Sequence, residues 1–289
     1  KNNKLAKNLK KKDFEKKILN KKPDLIITAS GIYNNSEHNA RIVAKKNNIK
    51  CISILDYWSE YAARFKRIIN KKIEYSFPDW IFAMDKKSTK DFVKETGFNK
   101  KNIFISGSLN LEKIKNNLKI YRNNNNKKTI NKNNLIITFF SDAFYTKKNN
   151  KYHTGLGTCF DKKGNSIFGY TPDIILDKLL KNLTYINKKI KKNITFILKP
   201  HPRENYDSLL PIVNRYKDKK NKIKYKIELN KKSDYLSFKS DLVFGMGSIA
   251  LFESGFANKP TFSIQIGLNR SKIYDPCIAN YFNYSIKRS

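Results

Sequence analysis

Two short stretches of this chain hold residue types that can do chemistry together. The first is Lys199-Pro200-His201-Pro202-Arg203-Glu204, which directly follows the apolar run Ile194–Leu198. Parallel sheets bind ligands at the C-terminal ends of their strands. The two prolines end the run and bias the residues before them, Lys199 and His201, toward extended conformations. In an extended segment Lys199, His201 and Arg203 lean to one side. Three cationic or hydrogen-bond-donating side chains then converge, which suits a phosphate or pyrophosphate. The competing reading is a proline-stiffened turn on a Lys-rich surface.

The second stretch runs from Ser240 to Pro260. A strand leads into Gly245-Met246-Gly247, and Ser248 can cap the helix that follows. Glycines let a ligand approach the backbone, and a helix N-terminus offers free N–H groups with positive partial charge. At about 100° per residue, Ile249, Phe252 and Phe256 make one apolar stripe, and Glu253 falls inside it. A carboxylate on a buried face needs a partner. Ribose hydroxyls would serve; a nearby lysine, or snorkelling to water, would also satisfy it. Lys199, His201, Arg203, Gly245, Gly247, Ser248 and Glu253 together describe a site for an anionic, nucleotide-like ligand.

The elements that must position these residues follow a βα rhythm. Asp24–Ser30, Ile49–Leu55, Asp79–Met84 and Ile103–Ile105 read as strands, with helices over Ser36–Asn47 and near Lys87–Thr96. From about Tyr121 to Asn134 there is almost nothing to bury, which reads as a linker. The rhythm then restarts. Strands are expected over Leu135–Phe140, Ile194–Leu198, Ile223–Ile227, Leu242–Phe244 and Thr261–Ile264. Thr171-Pro172-Asp173 opens a helix reaching about Lys191: a Thr N-cap, Pro at the first helical position, Asp in the first turn. Ser141–Tyr170 is a long, Gly-bearing, aromatic loop of the kind that is often functional. Alternating strands and helices predict an α/β protein of two Rossmann-like domains facing a cleft. Residues 1–121 form the first domain, 122–134 the linker and 135–289 the second. The sequence does not open on Met, and its Lys/Asn-rich start reads as a processed chain or a fragment lacking a first strand and helix.

The formal net charge of +36 over 289 residues invites a nucleic-acid reading. Of the 60 basic residues 52 are Lys and 8 are Arg, beside 36 Asn. Lys and Asn share A-rich codons, so an AT-biased genome produces this pattern without selection for binding. A surface that reads phosphates and bases would use more Arg, whose planar fork suits bidentate contacts. The charge still steers anionic partners. Cys51, Cys159 and Cys277 are far apart, with no C-x-x-C, and His38, His153 and His201 are equally scattered. That argues against a disulfide framework and a zinc site and favours a reducing, cytoplasmic compartment. No apolar run approaches the length that spans a membrane.

Residues 135–265 resemble the donor-binding half of GT-B-type glycosyltransferases, through strand, small residues, helix with an internal Glu, Lys259-Pro260 and strand between Asp241 and Ser263. His201-Pro202 resembles the "HP" motif of bacterial sialyltransferases, polysialyltransferases and related capsule enzymes, and Ser248 their downstream Ser/Thr motif. The resemblance implies that His201 and Ser248 hold the phosphate of a CMP-type donor and Glu253 its ribose or base-side hydroxyls. It implies a metal-independent enzyme, without a cofactor, that moves a sugar from a nucleotide-activated donor to a glycan or lipid-linked glycan acceptor. Peripheral membrane contact would follow from a lipid-linked acceptor.

The N-terminal half departs from that pattern, because the acidic base motif of sialyltransferases is not visible in it. Its most distinctive segment is Asp56-Tyr-Trp-Ser-Glu-Tyr-Ala-Ala-Arg-Phe65. Asp56 is a candidate general base for an acceptor hydroxyl, with Trp58 and Tyr61 as stacking platforms for a sugar. The alternative is that these aromatics fill the core and Asp56 caps a helix. Asp142 is the rival base and Glu37 a third candidate. Three other functions stay open. A UDP-N-acetylglucosamine 2-epimerase shares the fold, although its Ser-Gly-Gly run with tandem Glu is replaced here by Gly-Met-Gly-Ser with the single Glu253. The others are a CDP-glycerol-type polyol-phosphate transferase and, outside enzymes, a nucleic-acid-binding protein.

Overall fold

The computed structural model describes residues 11–31, 35–58, 60–69, 72–125, 133–142, 146–148, 151–153, 170–190, 192–202, 204, 206–217 and 222–266. Arg203, Cys159, Cys277 and most of the 141–170 loop lie outside them. The chain divides into two compact units, Lys1–Glu112 and Lys113–Ser289.

In the first unit the order is α1 (Lys11–Leu19), β1 (Leu25–Thr28), α2 (Asn35–Lys46), β2 (Lys50–Ile54), α3 (Tyr61–Phe65), β3 (Lys66–Ile69), β4 (Lys72–Tyr75), β5 (Trp80–Ala83), α4 (Lys86–Thr96) and β6 (Ile103–Ile105). Strands β1, β2, β5 and β6 form one parallel sheet in that spatial order, while β3 and β4 pair antiparallel apart from it. Strand register puts Ile26, Cys51, Ile81 and Ala83 on the face that α1, α2 and α4 bury. Helix α4 has its ends written in the sequence: Asp85 and Ser88 form a reciprocal capping box, and Gly97 ends it at φ 69°.

Helix α5 (Leu109–Asn125) spans the division between the units. The second unit continues with β7 (Asn134–Phe140), β8 (Thr146–Lys148), β9 (Lys151–His153), α6 (Pro172–Asn187), β10 (Asn193–Lys199), α7 (Leu210–Arg215), β11 (Ile223–Ile227), α8 (Ser233–Lys239), β12 (Leu242–Gly245), α9 (Ala250–Phe256) and β13 (Thr261–Ser263). Its main sheet is fully parallel in the order β11-β10-β7-β12-β13. The chain starts at the centre, winds outward through β10 to β11, then returns past β7 to β12. That reversal opens a crevice between the ends of β7 and β12, where doubly wound sheets place their ligands. Ile137, Phe139, Leu176, Leu180, Phe196 and Leu198 fill the core beside the sheet. The α/β class and both sets of parallel strands agree with the sequence reading.

One expectation about local packing is corrected. The buried face of α9 is Ala250, Leu251, Glu253 and Ser254, whereas Phe256 is exposed. The helix begins two residues after Ser248 and turns toward α8, so the stripe Ile249–Phe252–Phe256 is not the one it buries. Ser254 Oγ donates to Ser237 Oγ of α8 at 2.8 Å.

Candidate functional site

In the second unit, groups from three strand ends meet at the switch point. Asp142, two residues past β7, accepts the Gly247 N–H at 2.8 Å, bridging the crevice to the end of β12. Burial pushes the Asp142 carboxyl up to about 6, although the Gly247 amide works against the shift. Ser141 N–H donates to the Lys199 carbonyl at 3.0 Å, and Ser141 Oγ to Glu204 Oε1 at 2.8 Å. Glu204 closes the turn after β10: its second oxygen accepts the His201 N–H at 3.2 Å, and its own N–H donates to the His201 carbonyl at 2.8 Å. Burial raises Glu204 to about 7; the charges of Asp142 and Asp173 add to the shift, and the bonds from Ser141 and His201 oppose it. Glu204 thus holds the His201 backbone, and Asp142 is near enough for its charge to raise Glu204.

The remaining sequence candidates fall as follows. Lys199 Nζ donates to the Leu229 carbonyl at 2.6 Å, so its ammonium is directed to the β11–α8 loop rather than gathered with His201. Arg203 is outside the described residues. Gly245 serves packing: a Cβ there would sit 2.9 Å from Leu251 Cδ2 and 3.2 Å from the Phe140 carbonyl. Ser248 lies before α9, whose N-cap is Ile249, and its hydroxyl accepts the Ala250 N–H at 3.3 Å. Glu253 is 5% exposed. Ser233, at the start of α8, hydrogen-bonds its side chain, yet Oε2 is buried without a partner. Burial raises its pKa.

In the first unit, Asp56 follows β2 as expected. Its Oδ1 accepts from Ser30 Oγ at 2.9 Å and from Arg64 Nη1 at 2.8 Å; Arg64 also donates to the Ser30 carbonyl at 2.7 Å. The Asp56 side chain is 59% exposed while that of Arg64 is 6% exposed, so a buried guanidinium fixes a carboxylate that faces water. Glu37 Oε2 accepts the Gly31 N–H at 2.6 Å, which ties it to the backbone after β1. The stacking role expected of Trp58 and Tyr61 is corrected. Trp58 is buried with Nε1–H donating to Asp85 Oδ2 at 2.6 Å, and Tyr61 is buried edge-on against Phe92. Both rings complete the α3–α4 packing.

No family model matches the sequence, and no curated protein matches it. Solved structures do. The UDP-N-acetylglucosamine 2-epimerase of Methanocaldococcus jannaschii superposes with a TM-score of 0.57 at 17% identity, over 96% of this chain and 69% of that one. A UDP-N-acetylglucosamine 2-epimerase described as putative, from Listeria monocytogenes, gives 0.55 at 12%, over 88% and 60%. Staphylococcus aureus MnaA, solved with UDP, gives 0.51 at 12%, over 88% and 61%. The fold is GT-B-like. The chain spans about three-fifths to two-thirds of the length of these proteins. These three are UDP-N-acetylglucosamine 2-epimerases, and the expectation of a CMP-sugar glycosyltransferase is corrected by them.

Several residues of these clusters escaped the sequence reading. Glu204 stood inside the quoted Lys199–Glu204 stretch, three residues after His201, the spacing of a turn closure. Arg64 and Arg41 carried a weaker signal: with only 8 Arg among 60 basic residues, each Arg is worth tracing.

Proposed function

We propose that the chain binds a UDP-sugar and belongs to an enzyme of the UDP-N-acetylglucosamine 2-epimerase type. The observation that carries this reading is the likeness to such an epimerase along 96% of the chain. One of these neighbours, Staphylococcus aureus MnaA, was solved with UDP. In this proposal the nucleotide lies along the C-terminal ends of β7, β10 and β12. A ribose hydroxyl donates to the unpartnered Glu253 oxygen, relieving a buried acceptor. His201 faces the diphosphate. Inverting a carbon centre needs one group to take a proton and another to return one to the opposite face. Groups poised near the working pH do this best, and Glu204 at about 7 and Asp142 at about 6 meet that condition. Asp56, clamped by Arg64, is the corresponding candidate base of the first unit.

The test is calorimetry with UDP, UDP-N-acetylglucosamine and CMP, beside proton NMR of the sugar in D2O. UDP is expected to bind and CMP to bind far more weakly. Glu253→Ala should weaken UDP by about 10- to 100-fold, the range for a hydrogen bond to a charged group. His201→Ala should also weaken it, and the sugar C2 proton should exchange only when Glu204 is intact. Preference for CMP, or UDP affinity indifferent to Glu253 and His201, would overturn the reading.

A further inference from the structure

We propose that the start of α6 is a sugar subsite, in which the Thr171 hydroxyl and the Asp173 carboxylate take hydrogen bonds from the O–H or amide N–H groups of the sugar of a UDP-sugar. This rests on the nucleotide reading above and adds the residues that hold the sugar. Topology puts the position at the ligand end of the second unit's sheet. Helix α6 joins β7 to β10, which are parallel neighbours, so its first turn lies at their C-terminal ends. Tyr170, Ile175 and Leu176 anchor that turn in one apolar cluster with Phe139 of β7 and Leu198 of β10.

Buried polar groups are nearly always paired, and two in this turn are not. Thr171 is 6% exposed, and its Oγ1 has no partner among the described residues. As the N-cap of α6 its hydroxyl would ordinarily accept an N–H of the first turn, yet it makes no such bond. Two positions on, Asp173 Oδ1 is buried and unpartnered as well. The other such atoms among the described residues belong to Thr184, Tyr225 and Glu253. The Thr184 and Tyr225 hydroxyls lie within reach of each other, and Glu253 is assigned above to the ribose. That leaves the start of α6 to be explained.

The set of groups selects the occupant. A hydroxyl donates or accepts and a carboxylate oxygen accepts. The first N–H groups of a helix, here those of Asp173 and Ile174, have no intrahelical partner. Groups that both donate and accept, clustered within a few ångströms, are what a pyranose offers. A phosphate fits poorly, because Asp142 and Asp173 stand close enough to Glu204 for their charges to act on it. Charge thus divides the ligand: the diphosphate belongs with His201 and the neutral sugar with the carboxylates. Glu204, held by Ser141 Oγ and the His201 N–H, lies between the two. A sugar seated at the start of α6 is therefore next to the group proposed to move its proton.

The test is calorimetry with UDP and with UDP-N-acetylglucosamine, read as the ratio of the two dissociation constants. Thr171→Val should weaken the UDP-sugar by about 3- to 10-fold and Asp173→Ala by about 10- to 100-fold, the ranges for a neutral and a charged hydrogen bond. Affinity for UDP should stay the same in both, which also shows that each variant is folded. Thr171→Ser keeps the hydroxyl and should restore the wild-type ratio. The amides of β7 and β10 should exchange no faster in Thr171→Val, because a cap that makes no bond has none to lose. A ratio that stays at its wild-type value in both variants, with UDP still bound, overturns the subsite alone. So does a Thr171→Val variant that loses UDP and the protection of β7 and β10 together, since Thr171 is then a structural cap. A wild type that binds neither ligand overturns the nucleotide reading, and the subsite with it.

Discussion

Replacing Arg41 by alanine should destabilise the first unit by about 3–5 kcal/mol, the combined effect of a cavity and several stranded acceptors. Arg41 is 1% exposed. Its Nε donates to Ser76 Oγ at 3.3 Å, Nη1 to the Ala29 carbonyl at 3.2 Å and Thr28 Oγ1 at 3.4 Å, and Nη2 to the Arg64 carbonyl at 3.1 Å. The guanidinium also lies 4.7 Å from the Phe65 ring centroid. One side chain thus ties the end of β1 to the end of α3 and to the segment before β5. Burial lowers its pKa to about 10, which leaves it charged at neutral pH. Both tryptophans of the chain, Trp58 and Trp80, lie in this unit, so their emission reports its unfolding alone. With a urea dependence of about 1–3 kcal/mol per molar, the midpoint should fall by roughly 2 M. Arg41→Lys keeps the charge but lacks the planar fork, and should recover less than half of the loss. An unchanged midpoint in the alanine variant would show that this network carries no net stability.

The two units differ in how much of them is legible in the sequence, and the reason is physical. Buried strands announce themselves as short apolar runs, so Leu25–Thr28, Asn134–Phe140 and Leu242–Gly245 fall within a residue or two of where the pattern puts them. The β3–β4 hairpin has no such run: Lys66-Arg67-Ile68-Ile69 and Lys72-Ile73-Glu74-Tyr75 read as charged surface. Helix α5 runs through Asn123 and Asn124, residues whose propensity argues against it; the Asn117 amide and the Tyr121 hydroxyl donate to Asp234, at 2.7 and 3.4 Å. That is tertiary contact overriding local preference.

Site residues follow the same division. Positions set by a strand end were legible, as with His201, Asp142 and Asp56. Side-chain direction was not. Nothing local sends Lys199 to Leu229 or makes Trp58 a partner of Asp85, because both bonds join residues about 30 positions apart. His38 and Arg41 are polar residues of α2. They are buried because Ser76 and the backbone after β1 supply acceptors that only the folded unit assembles.

The two units should also respond to pH in opposite directions. Folded Asp142 and Glu204 keep their protons up to about 6 and 7, whereas the ordinary values are 3.8 and 4.5. Between those limits the folded state binds more protons than the unfolded one. Stability of the second unit is therefore full below about pH 4 and is lost as pH rises through 6 and 7. His38 behaves the other way. Burial, with the charges of Arg41 and Arg67, lowers it from 6.5 to about 4. Its contribution is present above pH 6.5 and is lost as pH falls through 4, so the first unit gains stability over the range in which the second loses it. Each group accounts for up to about 3 kcal/mol at the full extent of its shift; Asp142 and Glu204 repel one another, so their joint effect is less than the sum. Tryptophan emission follows the first unit, and hydrogen exchange of β7 and β10, corrected for intrinsic rates, follows the second. From pH 4.5 to 7 the tryptophan midpoint should rise while the opening free energy of β7 and β10 falls. Glu204→Gln should flatten the second response and leave the first intact. Parallel movement of the two probes would mean that neither the carboxylate pair nor His38 governs the unit that holds it.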